Sequence, residues 1–261
     1  MCKIRHFFLI PFTGLGAFNG FRGNQWLKNR IQIFNQFVLP SILLQTDITV
    51  WFCWRAEEKE NPIVVQFQEI LKGVRGLKCV HTFSGIPFWD DKYPDKVASE
   101  RLMKTLAGVP FVEEETVMYT LQPSDDMYFV GAAAKLRETL KDTEPISAAG
   151  WKKGFIMNYN TKEIAEYTTN EWTTDSVSTY HTDTIPPFFT IKMPRETFLD
   201  PVKHYKAIGP YKSHEFIGEV MPYYVLEGRG FVVGTHGENI STTYNHRYTG
   251  RVLTTEESEE I

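Results

Sequence analysis

The sequence predicts an α/β fold, with a mostly parallel central sheet flanked by helices and a smaller mixed β region in the C-terminal half. Three observations carry that expectation. Short apolar runs alternate with segments of helical periodicity over residues 7–140. Gly, Pro and Asn punctuate the switches between them. After Pro145 the alternation gives way to extended runs paired around a polar turn.

Phe7, Phe8, Leu9 and Ile10 form the first strand, ended by Pro11 and the turn-rich Gly14-Leu15-Gly16. Asn24 is placed to cap a helix on which Trp26, Leu27, Arg30, Ile31, Phe34, Phe37 and Val38 make one stripe. Residues 48–54 are β-branched and aromatic, hence a strand. Asn61 and Pro62 supply a cap and a first-turn proline, and Ile63, Phe67, Ile70 and Leu71 share one helical face that stops at Gly73. Residues 77–83 give a third strand. Pro94 opens a helix carrying Val97, Leu102, Met103 and Leu106, and Gly108 stops it. Residues 116–121 give a fourth strand, and a helix is expected from about Tyr128 to Leu140. Repeated strand–helix units imply right-handed crossovers, with ligands beyond the carboxyl ends of the strands.

In the second half, residues 155–159 and 163–168 flank Asn160-Thr161-Lys162 and predict a hairpin. The stretch 168–184 is dense in Thr, Ser and Asp, which suits a loop over a site or a solvated surface segment. Phe188 opens another strand. Phe231-Val232-Val233 leads into Thr235-His236-Gly237-Glu238-Asn239, and the acidic residues 256–261 read as a frayed tail.

Bulk properties bound the function. The 261 residues with 42% hydrophobic content afford one sizeable core, and residues 1–255 read as a single domain. A net charge of -4 argues against a basic nucleic-acid binder and leaves room for a local basic pocket for a phosphate. The 14% aromatic content is assigned mainly to the core. Cys2, Cys53 and Cys79 show no metal spacing, and the odd count in apolar runs suggests reduced thiols and a cytoplasmic protein. No apolar run is long enough to span a membrane, which leaves peripheral contact open.

The sharpest chemical feature is Ser124-Asp125-Asp126, between a buried strand and a helix. Adjacent carboxylates repel and are costly to desolvate unless something positive sits with them. A hard divalent cation, Mn²⁺ or Mg²⁺, satisfies both and keeps positions for phosphate oxygens. Either Asp also suits a cap for the following helix, and both readings stand. His236, in a glycine-containing turn, is a second candidate ligand. Pro11, Phe12 and Thr13 leave the first strand where nucleotide bases lie in doubly wound folds, and Arg22, Lys28 and Arg30 are cations near that loop.

Trp26-Leu27-Lys28-Asn29-Arg30, Phe34, Leu39-Pro40-Ser41, Gln45-Thr46 and Val50-Trp51-Phe52 together resemble the opening of the rhamnosyltransferase family, among the GT-A type glycosyltransferases. Ser124-Asp125-Asp126 is similar to the last three positions of that family's Asp-Ser-Asp-Asp run. Gly154-Phe155, Tyr159, Pro187-Phe188-Phe189-Thr190 and His236-Gly237-Glu238-Asn239 continue the likeness in order. Pro123 stands where the family usually has its first aspartate, and strand residues 119–122 lack its usual arginine.

The resemblance implies a GT-A-like fold, with residues 1–127 the nucleotide-sugar-binding half and 128–255 the acceptor-side half. It implies a metal-dependent glycosyltransferase that moves a sugar from a nucleotide-diphosphate donor to a glycan or glycolipid acceptor. Asp125, Asp126 and His236 would hold Mn²⁺ or Mg²⁺. Pro11, Phe12, Thr13, Arg30, Ser124 and Asp125 would bind the donor. Asp183, His214 and Glu215 are candidates for taking the acceptor proton; Glu215 precedes an apolar turn, which favours a raised carboxyl pKa. A sugar-phosphate nucleotidyltransferase and a non-catalytic glycan- or nucleotide-binding protein on the same fold are the alternatives.

Overall fold

A computed structural model describes residues 3–13, 23–83, 116–168, 189–200, 221–236 and 250–259, with single positions 203, 218 and 261. The strands are β1 (Ile4–Pro11), β2 (Ile48–Cys53), β3 (Cys79–Thr82), β4 (Thr116–Leu121), β5 (Met127–Tyr128), β6 (Ser147–Asn158), β7 (Ile164–Thr168), β8 (Phe189–Pro194) and β9 (Tyr223–Thr235). They form one nine-stranded sheet in the order β3-β2-β1-β4-β8-β6-β9-β5, with β7 also on β6.

The expected mostly parallel sheet is instead mixed. β1 pairs in parallel with β2 and β4, β2 with β3, and β6 with β9. β8, however, runs antiparallel between β4 and β6, while β7 and β5 lie antiparallel on β6 and β9. Two successive antiparallel steps across β8 restore the original direction. β6 and β9 therefore point the same way as β1 to β4, and the carboxyl ends of all six share one rim.

The helices are α1 (Asn24–Ile33), α2 (Leu39–Leu43), α3 (Pro62–Lys72), α4 (Ala132–Leu140), α5 (Arg195–Leu199) and α6 (Thr255–Glu259). A π-helical turn, Phe34–Val38, joins α1 to α2, and the Leu39 amide donates to the Phe34 carbonyl. Pro40 follows at once and has no N–H to close an ordinary α turn. Asn61 caps α3 as expected, its Oδ1 accepting from the Ile63 amide at 2.9 Å. Asn24 does not cap α1: the N-cap is Gly23, and Asn24 Oδ1 accepts from Asn61 Nδ2 at 3.1 Å instead. The helix expected from Tyr128 starts later, because Met127 and Tyr128 pair with Val232 and Phe231, and Gly131 turns the chain at φ 76°. The acidic tail forms the single-turn α6. The Thr254 hydroxyl accepts from the Glu257 amide, and the Glu257 carboxylate accepts from the Thr254 amide at 2.8 Å.

The hairpin over β6 and β7 is present, with Met157 opposite Ile164. The predicted helix of residues 94–106, Gly14-Leu15-Gly16 and nearly all of the polar stretch lie outside the described residues.

Side chains alternate across the sheet as the two-residue period requires. Phe7, Leu9, Trp51, Tyr119 and Ile191 pack on one face with Phe198 of α5. On the other, Phe8, Met118 and Trp151 meet Leu136 and Leu140 of α4, and Ile10, Val50 and Phe52 meet Leu27, Phe34 and Phe67 of α1, the π turn and α3. Among the described residues no helix is long and apolar enough to cross a membrane.

Candidate functional site

The loop after β4 descends from Gln122 to Asp126 on the shared rim. Its shape is set by hydrogen bonds. Gln122 donates its amide to the Leu9 carbonyl at 2.9 Å and its side-chain Nε2 to the Asp126 carbonyl at 3.0 Å. The Asp126 amide donates to the Pro123 carbonyl, closing a turn. Pro123 fits because this turn asks it only for an acceptor. Ser124 is buried in the same turn.

Asp125 is the hub. Its Oδ2 takes an ion pair from Arg30 Nη1, on α1, and lies 3.2 Å from His236 Nε2, just past β9. Arg30 is 5% exposed and its guanidinium sits over the Trp26 ring. Burial alone would raise the Asp125 carboxyl, but Arg30 and His236 outweigh it and hold the group below its ordinary range. Asp126 behaves oppositely. Burial, and then the neighbouring Asp125 charge, push its carboxyl well above the ordinary range, although Oδ1 accepts the Gly234 amide at 2.7 Å.

Tyr159 closes the site from the turn after β6. Its hydroxyl donates to the Asp125 carbonyl at 2.5 Å, and its amide donates to the Thr235 carbonyl at 2.9 Å. Its ring stacks on Phe37 of the π turn at 4.0 Å, and Lys162 Nζ lies 4.0 Å from the centre of the Phe37 ring. Gly234 lets these parts approach, since a Cβ there would collide with the Asp125 carbonyl and the Tyr159 hydroxyl.

Asp125 and His236 are thus brought together from distant parts of the chain, and Arg30 joins them. The three expected metal ligands are each engaged within the protein. Asp126 is turned to the Gly234 amide, and the Asp125 oxygen nearest His236 is already held by Arg30. Among the described residues no group of three His, Cys, Asp or Glu side chains could hold a metal ion.

A second polar cluster stands on the same rim, at the ends of β1 and β2. The Thr13 hydroxyl donates to Glu58 Oε2, which also accepts the Arg55 amide at 3.1 Å, and Arg55 Nε donates to the Thr13 carbonyl at 2.9 Å. Glu58 is 2% exposed, and its Oε1 is buried with no hydrogen-bond partner among the described residues. Burial raises its carboxyl pKa against the opposing pull of Thr13 and Arg55. Of the three residues expected to meet a base, Thr13 is half-buried in this cluster, Pro11 ends β1, and Phe12 is packed in the core against Phe34, Trp54 and Phe67.

Asp183, His214 and Glu215 lie outside the described residues, as do Gly237, Glu238 and Asn239. Sequence reasoning did not single out Arg55, Glu58 or Gly234 for the site. The signal for the first two was their place just after the second strand, next to the exit of the first. Gly234 carried no signal beyond being a glycine near a strand end.

Neither a protein-family model nor a curated protein matches the chain. The rhamnosyltransferase likeness therefore stands on its motifs alone. Among solved structures, S. aureus TarS 1–349 matches with a TM-score of 0.43 and 13% identity over 88% of this chain. This chain spans only 60% of that one. The 4-diphosphocytidyl-2C-methyl-D-erythritol synthase of Anaerococcus prevotii matches with a TM-score of 0.42 and 10% identity over 99% of this chain and 94% of its own. Likenesses this distant say nothing of chemistry, which the side chains on the rim must carry.

Proposed function

We propose that the chain is a glycosyltransferase that takes a sugar from a nucleoside-diphosphate donor and passes it to the hydroxyl of a glycan or glycolipid acceptor. The observation that carries this reading is the pairing of two polar clusters on one carboxyl-end rim. One is Arg30–Asp125–His236, after β4 and β9. The other is Thr13–Glu58–Arg55, after β1 and β2. Ligands of parallel strand–helix units bind at such a rim.

The two clusters suit the two ends of a nucleotide. Glu58 offers a buried oxygen to an N–H of a base, with Thr13 and Arg55 fixing its position. Arg30, with His236 beside it, would face the negative charge that grows as the bond between sugar carbon and diphosphate oxygen breaks, and a fixed guanidinium charge there lowers that barrier. Asp125 orients both. As the new bond forms, the acceptor hydroxyl loses its proton to a base, for which Asp183, His214 and Glu215 remain the candidates.

The test is a screen of nucleotide sugars that measures release of nucleoside diphosphate, with parallel measurement of pyrophosphate release from nucleoside triphosphates and sugar phosphates. Diphosphate release that Asp125→Asn abolishes supports the proposal. Pyrophosphate release alone would move the assignment to nucleotidyl transfer, and stabilisation by nucleotides without turnover would move it to a binding protein.

A further inference from the structure

We propose that Arg30 is the resident cation of this centre, standing in place of a divalent metal ion, so that the site holds a diphosphate without metal. The identity of the anion rests on the donor reading above; the exclusion of metal does not.

Four observations carry it. The Arg30 guanidinium is buried and paired with Asp125 Oδ2, the same oxygen that faces His236 Nε2. An ion joining Asp125 and His236 through that oxygen would have to displace a charge already there. Asp126, the next carboxylate along the chain, is committed to the Gly234 amide at 2.7 Å. Arg30 is also held in position. It belongs to α1, whose Leu27 is a fully buried core residue, and its guanidinium lies 5.3 Å from the centre of the Trp26 ring. Guanidinium groups in proteins keep their charge at every accessible pH.

The fourth observation points to a ligand. Arg30 Nε is buried and has no hydrogen-bond acceptor among the described residues. A buried donor left without an acceptor is costly, so such groups call for an explanation. Arginine carries five N–H donors around a planar guanidinium, so separate edges can serve separate acceptors. Asp125 takes Nη1, and a phosphate oxygen is the acceptor that Nε, on another edge, lacks. The same side chain then neutralises the carboxylate and reaches the diphosphate, the two tasks otherwise left to a divalent ion.

The experiment uses the full chain and two probes: Mn²⁺ alone, followed by electron paramagnetic resonance of the free ion, and UDP, GDP, dTDP and CDP, followed by thermal shift in EDTA. The wild type is expected to show no saturable Mn²⁺ binding and to be stabilised by one nucleoside diphosphate in EDTA. Arg30→Met is expected to gain Mn²⁺ binding, lose it again when Asp125→Asn is added, and lose the nucleotide shift in EDTA. Arg30→Lys keeps a cation in a protein that folds, and is expected to keep Mn²⁺ out. Saturable Mn²⁺ binding by the wild type that Asp125→Asn removes would overturn the proposal. So would a folded Arg30→Met protein that binds no Mn²⁺, or a nucleotide shift that appears only with metal. If no nucleotide acts with or without metal, the donor reading fails, and the Mn²⁺ titrations alone decide whether Arg30 takes the ion's place.

Discussion

The Tyr159 hydroxyl donates to the Asp125 carbonyl at 2.5 Å, tying the turn after β6 to the loop after β4. Burial, then the neighbouring Asp126 and Asp125 charges, push the phenol pKa well above its ordinary value, so the group remains a donor at every working pH. Tyr159→Phe keeps the stack on Phe37 and removes only this bond. The expected cost is about 1 kcal/mol, read from the urea midpoint with an unchanged slope. Nucleotide binding should weaken as well, because the loop carrying Asp125 loses its brace.

Gly234→Ala is expected to be worse than its size suggests. Its Cβ would meet the Asp125 carbonyl and the Tyr159 hydroxyl together, and moving the strand would pull its amide from Asp126. Overpacking of this kind costs about 1–3 kcal/mol. Chemical denaturation should register that loss. A Gly234→Ala variant as stable as wild type would show that the close approach is not needed.

Removing Asp125 leaves a buried guanidinium with no carboxylate. Breaking a buried pair from one side costs about 3–5 kcal/mol. Asp125→Ala should therefore lower the melting temperature sharply, and Asp125→Asn, which keeps an acceptor, should do so less. Combining Asp125→Asn with Arg30→Met is expected to recover stability relative to either single change. A double-mutant cycle measures this, and additive losses would mean that the two side chains do not interact.

Two histidines predict acid sensitivity. His6 is fully buried and falls from 6.5 to about 3, first through burial and then through the Arg137 charge. His81 falls to about 4 through burial and then Lys72. Arg137 Nη1 faces His6 Nδ1 at 3.5 Å, so the proton sits on Nε2 and is donated to Thr120 Oγ1 at 2.7 Å, which hydrogen-bonds in turn with Thr190. Between pH 6.5 and about 4 the unfolded chain takes up these protons and the folded chain does not. Stability is thus complete above 6.5 and falls with pH through that window, by about 1.4 kcal/mol per pH unit for each histidine. Equilibrium unfolding from pH 7 to pH 4 measures the slope, and His6→Gln should flatten it.

Much of the framework was legible in the sequence. Strands β1 to β4, helix α3 with its Asn61 cap, and the β6–β7 hairpin follow from periodicity and turn chemistry, all local properties. The direction of β8 was not legible, because pairing partners are chosen by tertiary contact and a run such as Phe189–Pro194 reads the same either way. The late start of α4 escaped for a related reason: Met127 and Tyr128 have helical neighbours, and their extended state comes from β9. At the site, motif position found Asp125, Arg30 and His236 separately. That Arg30 faces Asp125 needed coordinates, since no sequence spacing tells a cation's side chain where to point. Glu58 was hidden among ordinary surface charges of the Arg55–Glu60 segment and is set apart only by its burial.

The Asp125–His236 contact closes a separation of 111 residues, whereas Arg30 precedes both. At about 5–20 residues per second, roughly 5–20 s of synthesis pass between the emergence of Asp125 and that of His236. The side chains of the centre are thus synthesised in the order Arg30, Asp125, His236, and a nascent chain halted before β9 would lack both the imidazole and the Gly234 amide that Asp126 accepts.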